Sequence, residues 1–351
     1  MTVDLYGDAR AAADELLRDV YRLDVAKALD PLDAGDFLAI VKRLTRALRG
    51  VTQEAEATAL RTALDELDVD WPNLSPRARE HIIRAAGAAL SHGQAQTLPK
   101  IEQVFEAEAE PLVAASRRAA AQRFGLHIAA DLSRTDVRIA RFIRTSESNF
   151  IRDANGRRHD EFSQRARDVV ASGHERGLGR DDIVDELSQQ LTAVAGRTAA
   201  YWEVVATSFA NRGRTYTQLA AFDEAAVENF RFEAVLDSVT SHVCRFMHGR
   251  VFSVDRAMQR FADVEDAGDP ERITELQPWV QVGADDDGNQ VLFYKRSGRR
   301  HLVAQVDESA LGHPDKVGRY SRALGVGQLE AAGLTTPPLH GRCRSTIVVE
   351  G

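Results

Sequence analysis

The chain has 351 residues, of which 44% are hydrophobic, and a formal net charge of −8. This length allows two or three domains with a sizeable core, and the negative charge argues against nucleic-acid binding over the whole surface. No apolar run approaches the roughly 18 residues that a membrane span needs, and residues 1–8 lack the features of a signal peptide. We therefore expect a globular protein without a membrane partner. The two cysteines favour synthesis in a reducing compartment.

Residues 1–110 predict a helical N-terminal domain. Apolar side chains recur at helical spacing, weakly at Leu16, Val20 and Leu23 and strongly at Phe37, Ile40, Val41, Leu44 and Leu48. Residues 70–76 interrupt the pattern, and Ser75 followed by Pro76 is typical of a helix N-cap with proline in the first turn. We expect that second helix to end at about Leu90, near Gly93. Nothing in this region indicates a catalytic site.

Residues 111–225 predict longer helices and contain the most basic part of the chain. Within them, residues 111–180 carry 14 arginines, no lysine and 8 acidic side chains. Arg134, Arg138 and Arg141 share one helix face, so they indicate a stripe that binds DNA phosphate or an acidic partner. The alternative is a solvated face that is neutralised by nearby carboxylates such as Asp131, Asp136 and Glu147.

A further helix is predicted over residues 197–222. Its apolar stripe comprises Trp202, Val205, Phe209, Tyr216 and Leu219. Gly213 lies inside this helix, where glycine costs about 1 kcal/mol relative to alanine. We therefore expect another backbone, with residues 237–252 as the candidate, to pack closely against it.

Residues 226–351 change towards a period of two and predict a small α+β lobe. Expected strands cover residues 232–236, 250–254, 279–282, 291–294 and 345–349. Residues 247–249 are expected in a turn, and residues 324–332 in a short helix. The acidic run at 285–289 lacks the alternating order and distal glutamate of a calcium loop, so we interpret it as a hairpin turn.

Cys244 and Cys343 each lie within a few residues of a histidine, His248 and His340 respectively. Thiolate and imidazole are zinc ligands, so Cys244, His340 and Cys343 predict a zinc site, with His248 or His242 as the fourth ligand. Such a metal would stabilise a loop-rich lobe that has little core of its own.

Three other interpretations of the cysteines remain open. The two residues can form a disulfide, which for a loop of this length contributes about 4–5 kcal/mol. Both can instead be free thiols packed as small hydrophobic side chains. A catalytic Cys/His pair would need a third, orienting group, for which Asp237 is the candidate.

Two separate stretches carry the most specific pattern in the chain. The first comprises Asp237, Cys244, His248, Gly249, Arg250, Val251 and Phe252, and the second comprises Pro337, Pro338, Leu339, His340, Cys343 and Arg344. In this order they resemble motifs of the phage Mu F-like head morphogenesis family, the minor head proteins of tailed phages and prophages. Asn211 and Gly213 match a further motif of that family. Ser241 and Ser345 stand where many members carry additional cysteines, so the family's four-cysteine set is incomplete here.

The resemblance covers roughly residues 120–349 and implies an architecture. We expect a mainly α protein with a small C-terminal α+β lobe, in which a helical N-terminal bundle and long helices precede short hairpins. The expected divisions are residues 1–110, 111–225 and 226–351. Residues with an expected structural-motif role are Asp237, Asn211, Gly213, Gly249 and Pro338.

The resemblance also implies a function. We expect a phage or prophage minor head protein, a structural and assembly protein rather than an enzyme, acting at the portal in head morphogenesis and in DNA packaging or ejection. Its expected partners are the portal protein, other capsid components and phage DNA, with no small-molecule substrate. It would reside in the host cytoplasm during assembly and then inside the virion head. The alternatives are a virion-carried effector with a Mu F-like delivery domain, a Cys/His hydrolase and a cellular DNA-binding protein.

Overall fold

Long helices form the first part of the protein. The computed structural model describes residues 29–196 and 199–350, so residues 1–8 and the predicted stripe of Leu16, Val20 and Leu23 lie outside it. The long helices are α1 (Ala34–Glu66), α2 (Pro76–Phe124), α3 (Arg134–Glu175), α4 (Arg180–Ala195) and α5 (Ala199–Glu224). Helix α5 packs against α1, α2 and α3, which makes it the centre of the helical part.

The beginning of the described chain follows the sequence prediction. The apolar stripe of α1 is buried at all five positions: Phe37, Ile40, Val41, Leu44 and Leu48. A short 3-10 turn, Trp71–Asn73, lies within the predicted break. Ser75 caps α2 as expected, since its hydroxyl accepts a hydrogen bond from the Ala78 amide at 3.3 Å.

The predicted end of the second helix is wrong, because α2 continues beyond Leu90 to Phe124. Gly93 does not terminate it. A Cβ atom at Gly93 would lie 2.2 Å from the Cβ of Ala59 on α1, so glycine permits two helices to approach closely there. The division expected at residue 110 falls inside this helix.

Helix α5 carries the predicted core stripe. Its members are all buried: Trp202, Val205, Phe209, Tyr216 and Leu219. The partner expected for Gly213 is wrong, because a Cβ atom there would lie 2.7 Å from the Leu112 side chain and 3.1 Å from that of Ile143. The glycine therefore fits α5 against α2 and α3 and not against residues 237–252.

The C-terminal part is a small α+β lobe, and the predicted mainly α fold class is confirmed. Its elements are β1 (Asn229–Glu233), α6 (His242–Met247), β2 (Val251–Ser253), α7 (Val254–Ala267), α8 (Pro270–Leu276), β3 (Val280–Ala284), β4 (Gln290–Arg296), β5 (Arg299–Glu308), β6 (Arg319–Ser321), α9 (Val326–Ala332) and β7 (Thr346–Glu350). One antiparallel sheet has the order β2-β1-β7 and the other β3-β4-β5-β6.

The lobe differs from the prediction in several places. The first strand begins three residues earlier than expected, at Asn229, and Met247 ends the unpredicted helix α6. Strands β5 and β6 were not predicted. The acidic run does form a hairpin turn, because the Asp285 carboxylate accepts hydrogen bonds from the amides of Asp287 and Asn289 at 3.1 and 2.8 Å.

Polar side chains of α5 bind the backbone of the last segment. Strand β7 lies at a sheet edge. The Asn211 amide donates to the Cys343 and Ser345 carbonyls at 2.6 and 3.3 Å, and the Gln218 amide donates to the Ile347 carbonyl at 2.8 Å. The carbonyls of alternate residues are thus satisfied by one face of α5, as burial requires.

Arg214 on the same face connects both ends of the described chain. Its guanidinium donates to the carbonyls of Pro31 at 3.1 Å and Ser345 at 2.5 Å, and it lies 3.9 Å from the ring centroid of Phe37. Complete burial lowers the pKa of Arg214 to about 10, so the side chain is still charged at neutral pH. Backbone carbonyls and an aromatic face therefore compensate for part of its lost hydration, while its Nε is buried without a hydrogen-bond partner in the described residues.

Replacement of Gln218 tests the contact between α5 and β7. We expect Gln218→Ala to lower the free energy of unfolding by about 3 kcal/mol, because the buried Ile347 carbonyl and Thr346 hydroxyl lose their partner. Gln259→Ala is the matched control, since Gln259 is exposed, and should change stability by less than about 0.5 kcal/mol. Equal effects in urea unfolding would contradict this role of Gln218.

Candidate metal centre

The two cysteine-containing stretches meet at the start of helix α6. Ser241 is the N-cap of α6, and its hydroxyl accepts a hydrogen bond from the Cys244 amide at 3.2 Å, which fixes Cys244 in the first turn. The second stretch follows the cis peptide bond between Pro337 and Pro338 and brings His340 and Cys343 to the same place. Asn211 on α5 holds this stretch through the Cys343 carbonyl.

Three ligand atoms converge there. The Cys244 sulfur lies 3.0 Å from His340 Nε2 and 3.7 Å from the Cys343 sulfur, and all three atoms lie within 4.8 Å of one another. Both cysteines are free thiols and buried. Of the histidines and acidic residues in the described chain, His340 alone joins the two thiols in a group of this kind.

The geometry agrees with zinc for most of this set. Zinc–sulfur bonds of about 2.3 Å in a tetrahedron place two sulfurs about 3.8 Å apart, close to the observed 3.7 Å. A sulfur and a nitrogen ligand would be about 3.6 Å apart, so the 3.0 Å contact of His340 requires a small shift of its ring. Cys244, His340 and Cys343 therefore fit a zinc ion.

The predicted fourth ligand is wrong. His248 Nδ1 instead accepts a hydrogen bond from the Ala234 amide at 3.2 Å, and His242 Nε2 lies 3.5 Å from the Ser309 hydroxyl. The Ser241 hydroxyl lies 3.0 Å from His340 Nε2. A cavity of about 20 Å³ adjoins the group and has room for about one water molecule.

Both serines at the family's cysteine positions belong to the same cluster. The hydroxyls of Ser345 and Ser241 contact the Cys244 thiol, and Ser241 also contacts His340. Two thiols and two hydroxyl groups therefore converge at this junction. A hydroxyl is a weaker zinc ligand than a thiolate, which leaves three strong donors.

The local hydrogen bonds shift the pKa values of the two thiols in opposite directions. Burial opposes ionisation of Cys343, but contacts with Cys244 and His340 outweigh it and lower the pKa of this thiol. The pKa of Cys244 is raised by the hydrogen bond between Cys244 and Cys343 and by burial. The positive charges of Arg214 and Arg344 interact with this pair, so one thiolate is stabilised without metal.

Asp237 binds Arg344 beside the cysteine junction and does not orient His340. Its carboxylate accepts two hydrogen bonds of 2.8 Å from Arg344, and others from the Val239 amide and the Thr240 hydroxyl. The bidentate contact fixes Arg344, one residue after Cys343. Asp237 therefore lacks the contact that the catalytic interpretation needs.

The remaining motif residues have backbone roles. Gly249 adopts a φ of +79° directly after α6, where other residues are strained, and its amide donates to the Phe232 carbonyl at 2.9 Å. This bond ties the end of the cysteine helix to β1. Gly213 fits α5 against α2 and α3, and Pro338 follows the cis peptide bond. Asn211, by contrast, holds the second stretch through its side-chain amide.

One of the three arginines of the predicted stripe is engaged in an ion pair. Arg138 pairs with Glu265 on α7, and a cavity of about 630 Å³ beside it is lined by Arg141 as well as by Glu265 and Asp266. Two of the carboxylates expected to neutralise the stripe have other partners, because Asp136 pairs with Arg117 and Glu147 with Arg212. Arg134 and Arg141 are exposed and have no ion pair within residues 29–196 and 199–350.

Sequence reasoning missed the contacts that α5 makes with this site. Asn211, Arg214 and Gln218 recur at intervals of three and four, which is the spacing of one helix face. That pattern could have predicted a buried polar face, but it does not name the carbonyls that the side chains bind.

Comparison of the chain with known protein families, with curated proteins and with solved structures found no match. Within the described residues, no helix combines the length and the apolar character needed to cross a membrane.

Metal analysis tests the zinc interpretation. We expect protein purified without chelator to hold one zinc ion per chain, and His340→Ala to lose it because a ligand is removed. His248→Ala is the matched control and should keep the metal, since His248 lies apart from the cluster. Zinc is measured by elemental analysis, and thiols are counted after denaturation.

Two results would contradict this expectation. No zinc together with two titratable thiols would identify a packed junction of free cysteines, and no zinc together with no thiols would identify a disulfide.

The Asp237–Arg344 contact predicts a pH-dependent contribution to stability. The hydrogen bond from Arg344, aided by Thr240, lowers the pKa of Asp237 to about 2 from 3.8. The stabilisation is therefore complete above the unfolded pKa and is lost as the pH falls from about 4 to about 2. Because the carboxylate is 36% exposed, we expect Asp237→Asn to cost only about 1 kcal/mol at pH 6.

Urea unfolding between pH 2 and pH 6 measures this difference. Asp286→Asn is the control, because Asp286 is exposed and forms no ion pair within the described residues. A cost for Asp237→Asn that is constant down to pH 2 would contradict the ion-pair origin.

Proposed function

We propose that this protein is a phage or prophage minor head protein, a structural protein that acts at the portal during head morphogenesis and DNA packaging or ejection. The observation that carries the proposal is the meeting of the two family-like stretches. They are separated by more than 90 residues, yet Cys244 contacts both His340 and Cys343, and Asp237 pairs with Arg344. Motif residues that resemble one family thus form one junction.

The position of this junction supports an assembly role over an enzymatic one. The thiols are buried, and the adjoining cavity of about 20 Å³ has room for about one water molecule. Asp237 is engaged by Arg344. The group is therefore suited to joining two parts of the chain, with zinc as the expected stabilising ion.

The packing of α1 argues against a separate effector module in residues 1–110. Phe37 and Leu48 belong to the same buried cluster as Phe209 on α5 and Ile347 on β7. An effector that is delivered by an attached domain would be expected to have its own core. We therefore assign the described residues of this region to the same structural unit as the family-like part.

The proposed partners are the portal protein and other capsid components, with phage DNA nearby. The long helices present exposed faces on which such partners can bind, and the protein would pass from the host cytoplasm into the virion head. This assignment requires no small-molecule substrate.

Composition of purified particles tests the proposal. DNA-filled heads from the encoding phage or prophage should contain the chain in a few copies, and it should copurify with the portal protein. Deletion of the gene should leave heads that are empty or non-infectious, and the parent gene supplied in trans should restore them. Normal, infectious heads that lack the chain would contradict the proposal.

A further inference from the structure

Strands β4 and β5 form a ribbon that extends beyond its neighbours. Pairing of β3 with β4 ends at Tyr294, and pairing of β6 with β5 ends at Gln305. The turn consists of Ser297 and Gly298, both with positive φ, as in the tight turns that connect two-stranded hairpins. Residues 295–301 therefore lie beyond the last paired residue of both flanking strands.

This ribbon concentrates positive charge in an acidic protein. Residues 294–301 contain Lys295, Arg296, Arg299 and Arg300 and no acidic side chain, whereas the whole chain carries −8. In the register of the ribbon, Lys295 lies opposite Arg300 and Arg296 lies opposite Arg299. Like charges directly opposite each other destabilise a β-ribbon. The arrangement therefore lowers the stability of the ribbon, and a bound anion would offset the repulsion.

Two of the four cations are held in place by the protein. Arg296 donates to the carbonyls of Glu275 and Ala332 at 3.1 and 2.9 Å. Arg300 lies 4.4 Å from the ring centroid of Phe293, and this contact orients its guanidinium along the ribbon.

The other two cations are free for a partner. Lys295 and Arg299 are exposed, and no carboxylate in residues 29–196 or 199–350 pairs with them. The nearby Glu275 carboxylate already binds Arg272 and accepts a hydrogen bond from Ser297. It therefore forms no ion pair with Lys295 or Arg299 in the described residues.

We propose that residues 294–301 bind the phosphate backbone of a nucleic-acid duplex. A two-stranded ribbon has the width to enter a major groove, and closely spaced phosphates would relieve the repulsion between the opposed cations. A localised site also accounts for nucleic-acid contact by a protein whose net charge is negative. The inference does not rest on the role in head assembly, and it places the contact on the ribbon and not on the Arg134–Arg141 face.

Paired charge-neutralising variants of the full chain test the site. In Lys295→Gln/Arg299→Gln, binding to a short DNA duplex of arbitrary sequence should weaken roughly tenfold or more at low salt. The slope of log affinity against log salt should become shallower by about 2, because about one unit is lost for each phosphate contact. Arg46→Gln/Arg49→Gln changes the net charge equally and is the matched control, because both side chains are exposed on α1 and belong to no proposed site, with affinity expected within about twofold of the parent.

The melting temperature separates binding from folding. Because the ribbon variant removes like-charge repulsion, it should melt at or above the temperature of the parent protein, so weaker binding cannot come from unfolding. Equal loss of binding in the ribbon and Arg46/Arg49 variants, or loss in Arg134→Gln/Arg141→Gln without loss in the ribbon variant, would overturn the assignment. So would parent protein that fails to bind duplex at low salt, or that binds polyglutamate as tightly as DNA, which would identify an acidic protein surface as the ligand.

Discussion

The structure depends on the polar face of helix α5. Arg214 joins Pro31 and Phe37 at the start of the described chain to Ser345 near its end, while Asn211 and Gln218 bind the carbonyls on either side of that contact. A buried guanidinium is costly unless its donors are satisfied, so these positions define one arrangement of the terminal segment. That arrangement is what brings Cys343 to Cys244.

Buried charge fixes the long helices to one another as well. Arg117 on α2 pairs with Asp136 on α3 at 2.9 Å and with Glu224 on α5 at 2.7 Å. Arg212 pairs with Glu147 at 2.6 Å, and burial raises the pKa of Glu147 despite the opposing charge of Arg212. Pairs of this kind add little net stability, but breaking one leaves an uncompensated buried charge. They therefore favour a single register of α2, α3 and α5.

Much of the fold was predictable because it follows from apolar spacing. The stripes on α1 and α5 gave the correct faces, and the cap at Ser75 gave the correct start of α2. Gly93 misled the prediction of its end, since sequence alone cannot separate a helix-ending glycine from one that admits Ala59 on a neighbouring helix. The three candidate zinc ligands were also predictable by residue type. The position of His248 was not predictable from the sequence, because it depends on the turn at Gly249.

The central claim is that α5 and the terminal segment form one cooperative unit that holds the cysteine junction together. Native-state hydrogen exchange, followed by mass spectrometry across residues 205–222 and 343–350, tests it most directly. The account predicts that both segments lose protection in the same opening event, with similar free energies. Early exchange of residues 343–350 while α5 stays protected would contradict it, since the last strand would then be a peripheral addition.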